Sequence, residues 1–321
     1  PEYSGTTLTF FDRQGRRLNQ AGPSGSHVLW DLEEFPDAHP LVLGRAGPID
    51  RRHGNFDPGG RWLATGNAAR TTIEFWPVAS PWRRVLPGFA AASSLAFSPD
   101  SRWLLTCPVW QPARRWPLTA RDGDAEAFAA EEGCHRITAH PAGRGVLVGT
   151  MSEPKVLLYP SPGGAPQRLI EGWDGATLFT VAFDHQGRRA AAVPGNARGG
   201  IEAPESRALV TWDLASGEKR THSIAHLTDE SFFAWSLVFA PDGRLYVGGQ
   251  GGVRRLNLPK EAGGIMSSEM IHAAGVAHPG LDREGRQLIV CANQKSRVLR
   301  DPHEELLLFD LASGTSRPIT T

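Results

Sequence analysis

Short apolar runs alternate with compact polar turns along this chain, and one kind of turn keeps returning. Seven segments of the form D/S-P-x-G-R, or a near variant, each separate one apolar stretch from the next: Asp12 to Arg16, Asp57 to Arg61, Ser98 to Arg102, His140 to Arg144, Asp184 to Arg188, Ala240 to Arg244 and Asp282 to Arg286. Their closing arginines lie 41 to 56 residues apart, with a mean near 45. A period in that range is the signature of a repeat architecture, in which no single unit can bury its apolar faces alone. The apolar runs are short and follow turn signals about every ten residues, which predicts strands rather than helices. Six of the seven turns carry Gly in the fourth position, where a hairpin calls for positive φ; Ser101 is the departure.

A second signal keeps the same phase. After each turn comes a β-rich segment that closes on an aromatic or Leu and then a polar residue or Pro, at Trp30, Trp76, Trp116, Tyr159, Trp212, Leu256 and Phe309. Segments such as Leu95-Ala96-Phe97-Ser98-Pro99-Asp100 and Val210-Thr211-Trp212-Asp213-Leu214 resemble the WD40 family, and the resemblance runs over nearly the whole chain. It implies an all-β fold: one seven-bladed β-propeller spanning residues 1–321, with four antiparallel strands per blade. The approximate blades are 6–45, 49–88, 92–130, 135–170, 178–224, 235–271 and 276–321. The seven closing residues should then pack between neighbouring blades.

Two departures from the family pattern matter. Gly88-Phe89 and Gly172-Trp173 stand where a Gly-His pair would be expected, and no repeat carries the full His, Asp, Ser/Thr and Trp set, although Thr65 and Thr106 fill the strand position. Stability should therefore rest on apolar packing between blades. The first strand starts near Thr6 and Ser316 to Thr320 supplies the last, so each blade is contiguous in sequence and blades one and seven should meet by packing alone.

Composition narrows the function. Lys plus Arg and Asp plus Glu both total 34, so the net charge is zero and neither nucleic acid nor an anionic membrane is an expected partner. The basic pairs Arg51-Arg52, Arg83-Arg84, Arg114-Arg115 and Arg254-Arg255 fall at different strand positions and form no stripe. No apolar stretch approaches the length of a bilayer span. Cys107, Cys134 and Cys291 are odd in number and lack a C-x-x-C pair, so neither a disulfide framework nor a thiolate metal site is expected, and a reducing, cytoplasmic location is. The chain opens on Pro1 rather than Met, and reads as a piece of something longer.

No catalytic signature is present. Phosphate loop, nucleophile elbow and kinase motifs are missing, and His303-Glu304-Glu305-Leu306-Leu307 lacks the second histidine of a zinc helix. No enzyme activity, cofactor or metal is therefore assigned to this domain. The extra residues fall at 107–112, 193–207, 225–234 and 292–305, all on the face that would carry the inter-blade connections and the loops between second and third strands. Trp110, Trp173 and Trp235 map there outside the repeat pattern, with Arg198, Arg207, Arg297 and Arg300 in the long loops. Trp beside Arg is the composition of interface hot spots, and the expected partner is another protein or peptide, bound by a monomeric domain. The opposite face, with its seven turn arginines, reads as a solvated ring of little specificity.

In style the chain resembles WD40 domains attached to bacterial serine/threonine kinases, which implies an accessory scaffold or sensor. Two other readings remain open: a lactonase-like enzyme or small-molecule binder acting at the channel mouth, and a periplasmic propeller resembling TolB, which shares the S-P-D-G turn.

Overall fold

The computed structural model describes residues 9–12, 15–21, 26–32, 41–45, 49–67, 73–78, 84–86, 92–108, 111–118, 126–129, 133–150, 155–160, 164–170, 177–195, 208–224, 234–249, 251–259, 266–274, 276–282, 284–293 and 304–319. They form seven four-stranded antiparallel sheets, each built from four consecutive strands. Blade 1 holds β1 (Thr9–Phe11), β2 (Arg17–Ala21), β3 (Ser26–Asp31) and β4 (Leu41–Arg45), and blade 2 holds β5 (Ile49–Phe56), β6 (Trp62–Asn67), β7 (Ile73–Pro77) and β8 (Arg84–Leu86). Blade 3 comprises β9 (Ala92–Phe97), β10 (Trp103–Pro108), β11 (Ala113–Pro117) and β12 (Glu126–Ala129). Next comes blade 4, with β13 (Cys134–Ala139), β14 (Val146–Thr150), β15 (Val156–Tyr159) and β16 (Gln167–Ile170). In blade 5 the strands are β17 (Thr177–Phe183), β18 (Arg189–Gly195), β19 (Ala208–Asp213) and β20 (Lys219–Ser223). Blades 6 and 7 run β21 (Ala234–Phe239), β22 (Leu245–Gly249), β23 (Gly252–Asn257), β24 (Ser267–His272), then β25 (Val276–Leu281), β26 (Gln287–Asn293), β27 (Glu304–Asp310) and β28 (Thr315–Pro318). First strands of successive blades lie side by side around the axis, and β1 meets β25 to close the ring. This is a β-propeller.

The second strand of each blade is sandwiched between two neighbouring blades, and in blades 3, 4, 6 and 7 it is apolar at most positions rather than at alternate ones, whereas β2 of blade 1 carries Arg17, Asn19 and Gln20. Because side chains alternate across a strand, successive residues feed different inter-blade layers. Leu104 packs with Ala64 and Ile73 of blade 2, whereas Leu105 packs with Ile137 and Val148 of blade 4. Leu147 and Val148 divide in the same way between blades 5 and 3, as do Leu288 and Ile289 between blades 6 and 1.

The buried apolar residues fall into seven clusters, each drawn from two adjacent blades. Every cluster contains one third-strand closing residue, in blade order Trp30, Trp76, Trp116, Tyr159, Trp212, Leu256 and Phe309, none more than 9% exposed. The seam between blades 7 and 1 is one of these clusters: Leu18 and Trp30 meet Ile289, Leu306, Leu308 and Ile319. Among the described residues no strand crosses that seam, since β1–β4 and β25–β28 are separate sheets.

Thr65 and Thr106, which the sequence put at the strand position, supply the Thr–Trp part of the polar network. The indole N–H of Trp76 donates to Thr65 at 3.3 Å, and that of Trp116 donates to Thr106 at 3.1 Å. Blade 5 has Ala192 in the equivalent place, and Trp212 instead donates 3.2 Å to the Leu169 carbonyl of blade 4. A buried indole N–H needs an acceptor, and it takes the adjacent blade's backbone where its own strand offers none.

The cysteine expectation is corrected. Cys107 and Cys134 form a disulfide, with Cα atoms 5.4 Å apart. They lie 27 residues apart, on the second strand of blade 3 and the first strand of blade 4, a pairing created by blade stacking and invisible in sequence spacing.

Candidate functional site

The two faces of the ring are built differently. On one, first and second strands are joined by only five or six residues in every blade, whereas on the other the β18–β19 and β26–β27 connections run from Gly195 to Ala208 and from Asn293 to Glu304.

Six of the seven short turns are held from within by their first side chain; in blade 6 the first residue is Ala240, and Asp242 Oδ1 accepts the N–H of Arg244 at 3.0 Å instead. Asp12 Oδ1 accepts the N–H groups of Arg16 and Arg17 at 2.8 and 3.1 Å, and Asp57 Oδ1 accepts those of Arg61 and Trp62 at 2.5 and 2.7 Å. Asp282 Oδ1 repeats the pattern on Arg286 and Gln287 at 2.7 and 2.9 Å. Asp184 Oδ1 accepts the N–H of Arg188 at 2.7 Å, while its Oδ2 lies 3.3 Å from Arg189 Nε. Where the first residue is Ser98, its hydroxyl accepts the N–H of Trp103 at 3.0 Å. Where it is His140, Nδ1 accepts the N–H of Ala142 at 3.0 Å. This use of short polar side chains to satisfy their own turn is why Asp and Ser recur there.

The same side chains reach the next blade. A Cβ on Gly60 would lie 2.8 Å from Asp12 Oδ2, and one on Gly15 would lie 2.9 Å from Cβ of Asp282, so the Asp of blade 7 seats against the turn of blade 1. Arg17 also donates 3.0 Å to the Gly60 carbonyl. Between blades 4 and 5, His140 Nε2 lies 2.9 Å from the Gly187 carbonyl. Because Nδ1 is an acceptor, Nε2 carries the proton and the ring is neutral. Burial, opposed by that bond to Gly187, holds His140 below the ordinary value of 6.5, and Arg144 pushes the same way.

These turns surround the axial channel. Its mouth is a cavity of about 420 Å³ lined from all seven blades, with Pro58, Pro99, Pro141 and Pro241 among its lining and Asp12, Asp184 and Asp282 from blades 1, 5 and 7. The three carboxylates are buried and already serve as turn caps. Around them Arg16, Arg61, Arg102, Arg144, Arg188 and Arg286 are exposed, while Arg244 is half-buried and pairs with Asp242. Among the described residues no group of three or more His, Cys, Asp or Glu is placed to hold a metal ion. The sequence offered the channel mouth only as an alternative and named none of these residues, because the ring assembles it from one to five residues per blade, at the ends of first strands and the starts of turns that read as purely structural.

Of the residues expected to bind a partner, Trp110, Trp173, Arg198, Arg207, Arg297 and Arg300 lie outside the described residues. Trp235 is the second residue of β21, at the strand end remote from the short turns; its side chain is not among those described.

Comparison with known proteins agrees with this geometry. Residues 83–107, which include β9 and most of β10, match the WD40 family, "WD domain, G-beta repeat". The chain is a β-propeller, one stretch of which matches the WD40 repeat. No curated protein matches it. Among solved structures, the propeller is similar to Kuenenia stuttgartiensis hydrazine synthase, with a TM-score of 0.70 at 12% identity, covering 98% of this chain and 94% of that one. It is also similar to the beta-propeller domain of Myceliophteria thermophila Cps50 (Swd1), with a TM-score of 0.69 at 13% identity, covering 91% of this chain and 94% of that one. At such identities the likeness is one of fold. Among the described residues no helix is long and apolar enough to cross a membrane.

Proposed function

We propose that this propeller is a non-catalytic interaction scaffold, and that another protein or peptide docks on the face bearing the inter-blade connections and the second-to-third-strand loops. The observation that carries the reading is the asymmetry of the faces. On one side lie seven first-to-second-strand turns of five or six residues, several of them seated against a neighbouring blade, with third-to-fourth-strand connections of up to nine residues, while the three connections of ten or more, β18–β19, β20–β21 and β26–β27, lie on the other. Recognition loops vary over a rigid scaffold, and the scaffold here is set by the blade clusters. Arg198 and Arg207 belong by sequence to the β18–β19 connection and Arg297 and Arg300 to the β26–β27 connection; with Trp110, Trp173 and Trp235 they would supply the anchors. In a longer chain this would be an accessory domain, for instance of a bacterial serine/threonine kinase.

Chemical cross-linking in the native cell, with the linked residues mapped by mass spectrometry, tests the reading. Partner cross-links are expected within 107–112, 193–207, 225–234 and 292–305, and should be lost when Trp110, Trp173 and Trp235 are all replaced by Ala. Cross-links confined to the short-turn face, or undiminished in the folded triple variant, would overturn it.

A second reading is supported by the 420 Å³ mouth, whose size suits a small ligand. Ala139→Trp should fill that space. Loss of a small-molecule ligand with retention of the protein partner would favour this reading, and the converse result would favour docking on the loop face.

A further inference from the structure

The joint between blades 3 and 4 differs from the other six in having a covalent bond, and both halves of that bond sit beside a register slip between first and second strands. Cys107 lies next to a register slip between β10 and β9, at Cys107/Pro108, and Cys134 opens a slip between β13 and β14, before Arg136. Both residues stand at the loop-bearing end of their blades: β10 ends there and β13 begins there. Both are buried, at 0% and 2% exposure, among Ala113, Phe128 and Leu157. On the innermost strands of the same joint, Ser94 accepts the Ile137 N–H at 3.2 Å and donates to the Ile137 carbonyl at 3.4 Å.

We infer that the Cys107–Cys134 bond is a permanent clasp that ties together the roots of two neighbouring loop-face connections, β10–β11 and β12–β13, and that the chain matures in an oxidising compartment. Both roots lie where ladder hydrogen bonding is interrupted, so backbone pairing alone leaves them free to splay; the cross-link holds them at a Cα separation of 5.4 Å, within the range a disulfide spans without moving the backbone. Disulfides persist in oxidising surroundings and are uncommon in a reducing cytoplasm. The bond replaces the cytoplasmic expectation, and it accords with the periplasmic alternative among the sequence readings.

Formation follows thiol–disulfide exchange with an oxidised dithiol oxidoreductase. One cysteine thiolate attacks the enzyme's disulfide and releases one of its thiolates, and the second cysteine then displaces the enzyme's remaining sulfur from the mixed disulfide. The two cysteine thiols lose two protons and two electrons, and the oxidoreductase departs as its dithiol. Exchange must precede closure of the joint, because in the folded ring neither sulfur is open to attack. That burial makes the bond a fixture of the ring rather than a switch. The clasp does not depend on the scaffold reading; only its consequence for partner binding does.

Peptide mapping of the full chain, purified after export to an oxidising compartment and alkylated without reduction, tests the inference. Cys107 and Cys134 are expected in one linked peptide, with Cys291 alkylated. The link should survive dithiothreitol applied to the folded protein and disappear when denaturant is added. In thermal melts, the Cys107→Ala, Cys134→Ala variant should unfold about 5–10 °C below the oxidised protein. Alkylation of all three cysteines in the denatured, unreduced chain would overturn the clasp, and so would a double variant that melts with the wild type. Peptide mapping needs neither a folded variant nor a partner, so its result is independent of the scaffold reading.

Discussion

A Cβ on Gly187 would overlap the imidazole of His140 on the preceding blade, whose Nε2 lies 2.9 Å from the Gly187 carbonyl. Gly143 has nearly the same backbone, with φ +73° against +69°, yet its Cβ would meet nothing within 4 Å. Gly143→Ala should therefore cost only the left-handed conformation, about 1–2 kcal/mol, while Gly187→Ala should add roughly 1–3 kcal/mol of overpacking. Denaturant titration of both variants checks the difference. Adding His140→Ala should return part of the loss in Gly187→Ala and none in Gly143→Ala, and equal losses in the two glycine variants would refute the inter-blade contact.

Acid should loosen the ring before any carboxylate is neutralised. Burial lowers the pKa of His140, and burial followed by Arg220 lowers that of His222, both from an ordinary 6.5. The unfolded chain then takes up these protons first as pH falls, so stability drops below about pH 6.5 and levels off once the folded forms are protonated too. Tm measured from pH 8 to 5 should be flat and then decline. The decline should be shallower in the His140→Gln, His222→Gln variant, and an unchanged profile would exclude these residues.

Thr106 is the acceptor for the buried indole N–H of Trp116. Thr106→Val keeps the volume and removes the acceptor, so it should cost about 1–3 kcal/mol. Trp116→Phe in the Thr106→Val background should then cost less than it does alone. A double-mutant cycle by urea unfolding reads this coupling, and additive losses would show that the bond contributes nothing.

Trp30 closes the seam between blades 7 and 1, which rests on packing and on the Asp282 contact with Gly15. Trp30→Ala should cost about 3–5 kcal/mol. Hydrogen exchange should lose protection first in β1–β4 and β25–β28, because Trp30 belongs to the apolar cluster those two blades share. Loss spread evenly over the ring would indicate that the seam is no weaker than the other joints.

How much of this was legible in the sequence follows from where each signal is stored. The repeat could be read because turn, glycine and closing aromatic are all local, and even the exception is local: Ser101, at φ 55°, is the one described non-glycine residue with positive φ. Burial of the second strands was legible as continuous apolar runs such as Leu245-Tyr246-Val247. The Cys107–Cys134 pair was hidden because blade stacking, and no spacing rule, brings those strands together. Asp12, Asp184 and Asp282 converge on the channel only after the ring closes. Trp212 turning to Leu169 could be anticipated only as a lack, since Ala192 stands where a hydroxyl would serve.

Among the described residues every blade is complete in its own stretch of chain, and none of the joints between them uses a strand lent from elsewhere. A duplication or deletion of one whole unit would leave each remaining ladder intact and would alter only the angle through which neighbouring blades turn. A fold closed by a borrowed strand lacks that freedom, since copying or losing a blade at its closure divides a sheet. This architecture can lengthen or shorten by unequal recombination at any of its junctions, and each blade can diverge as a separate module.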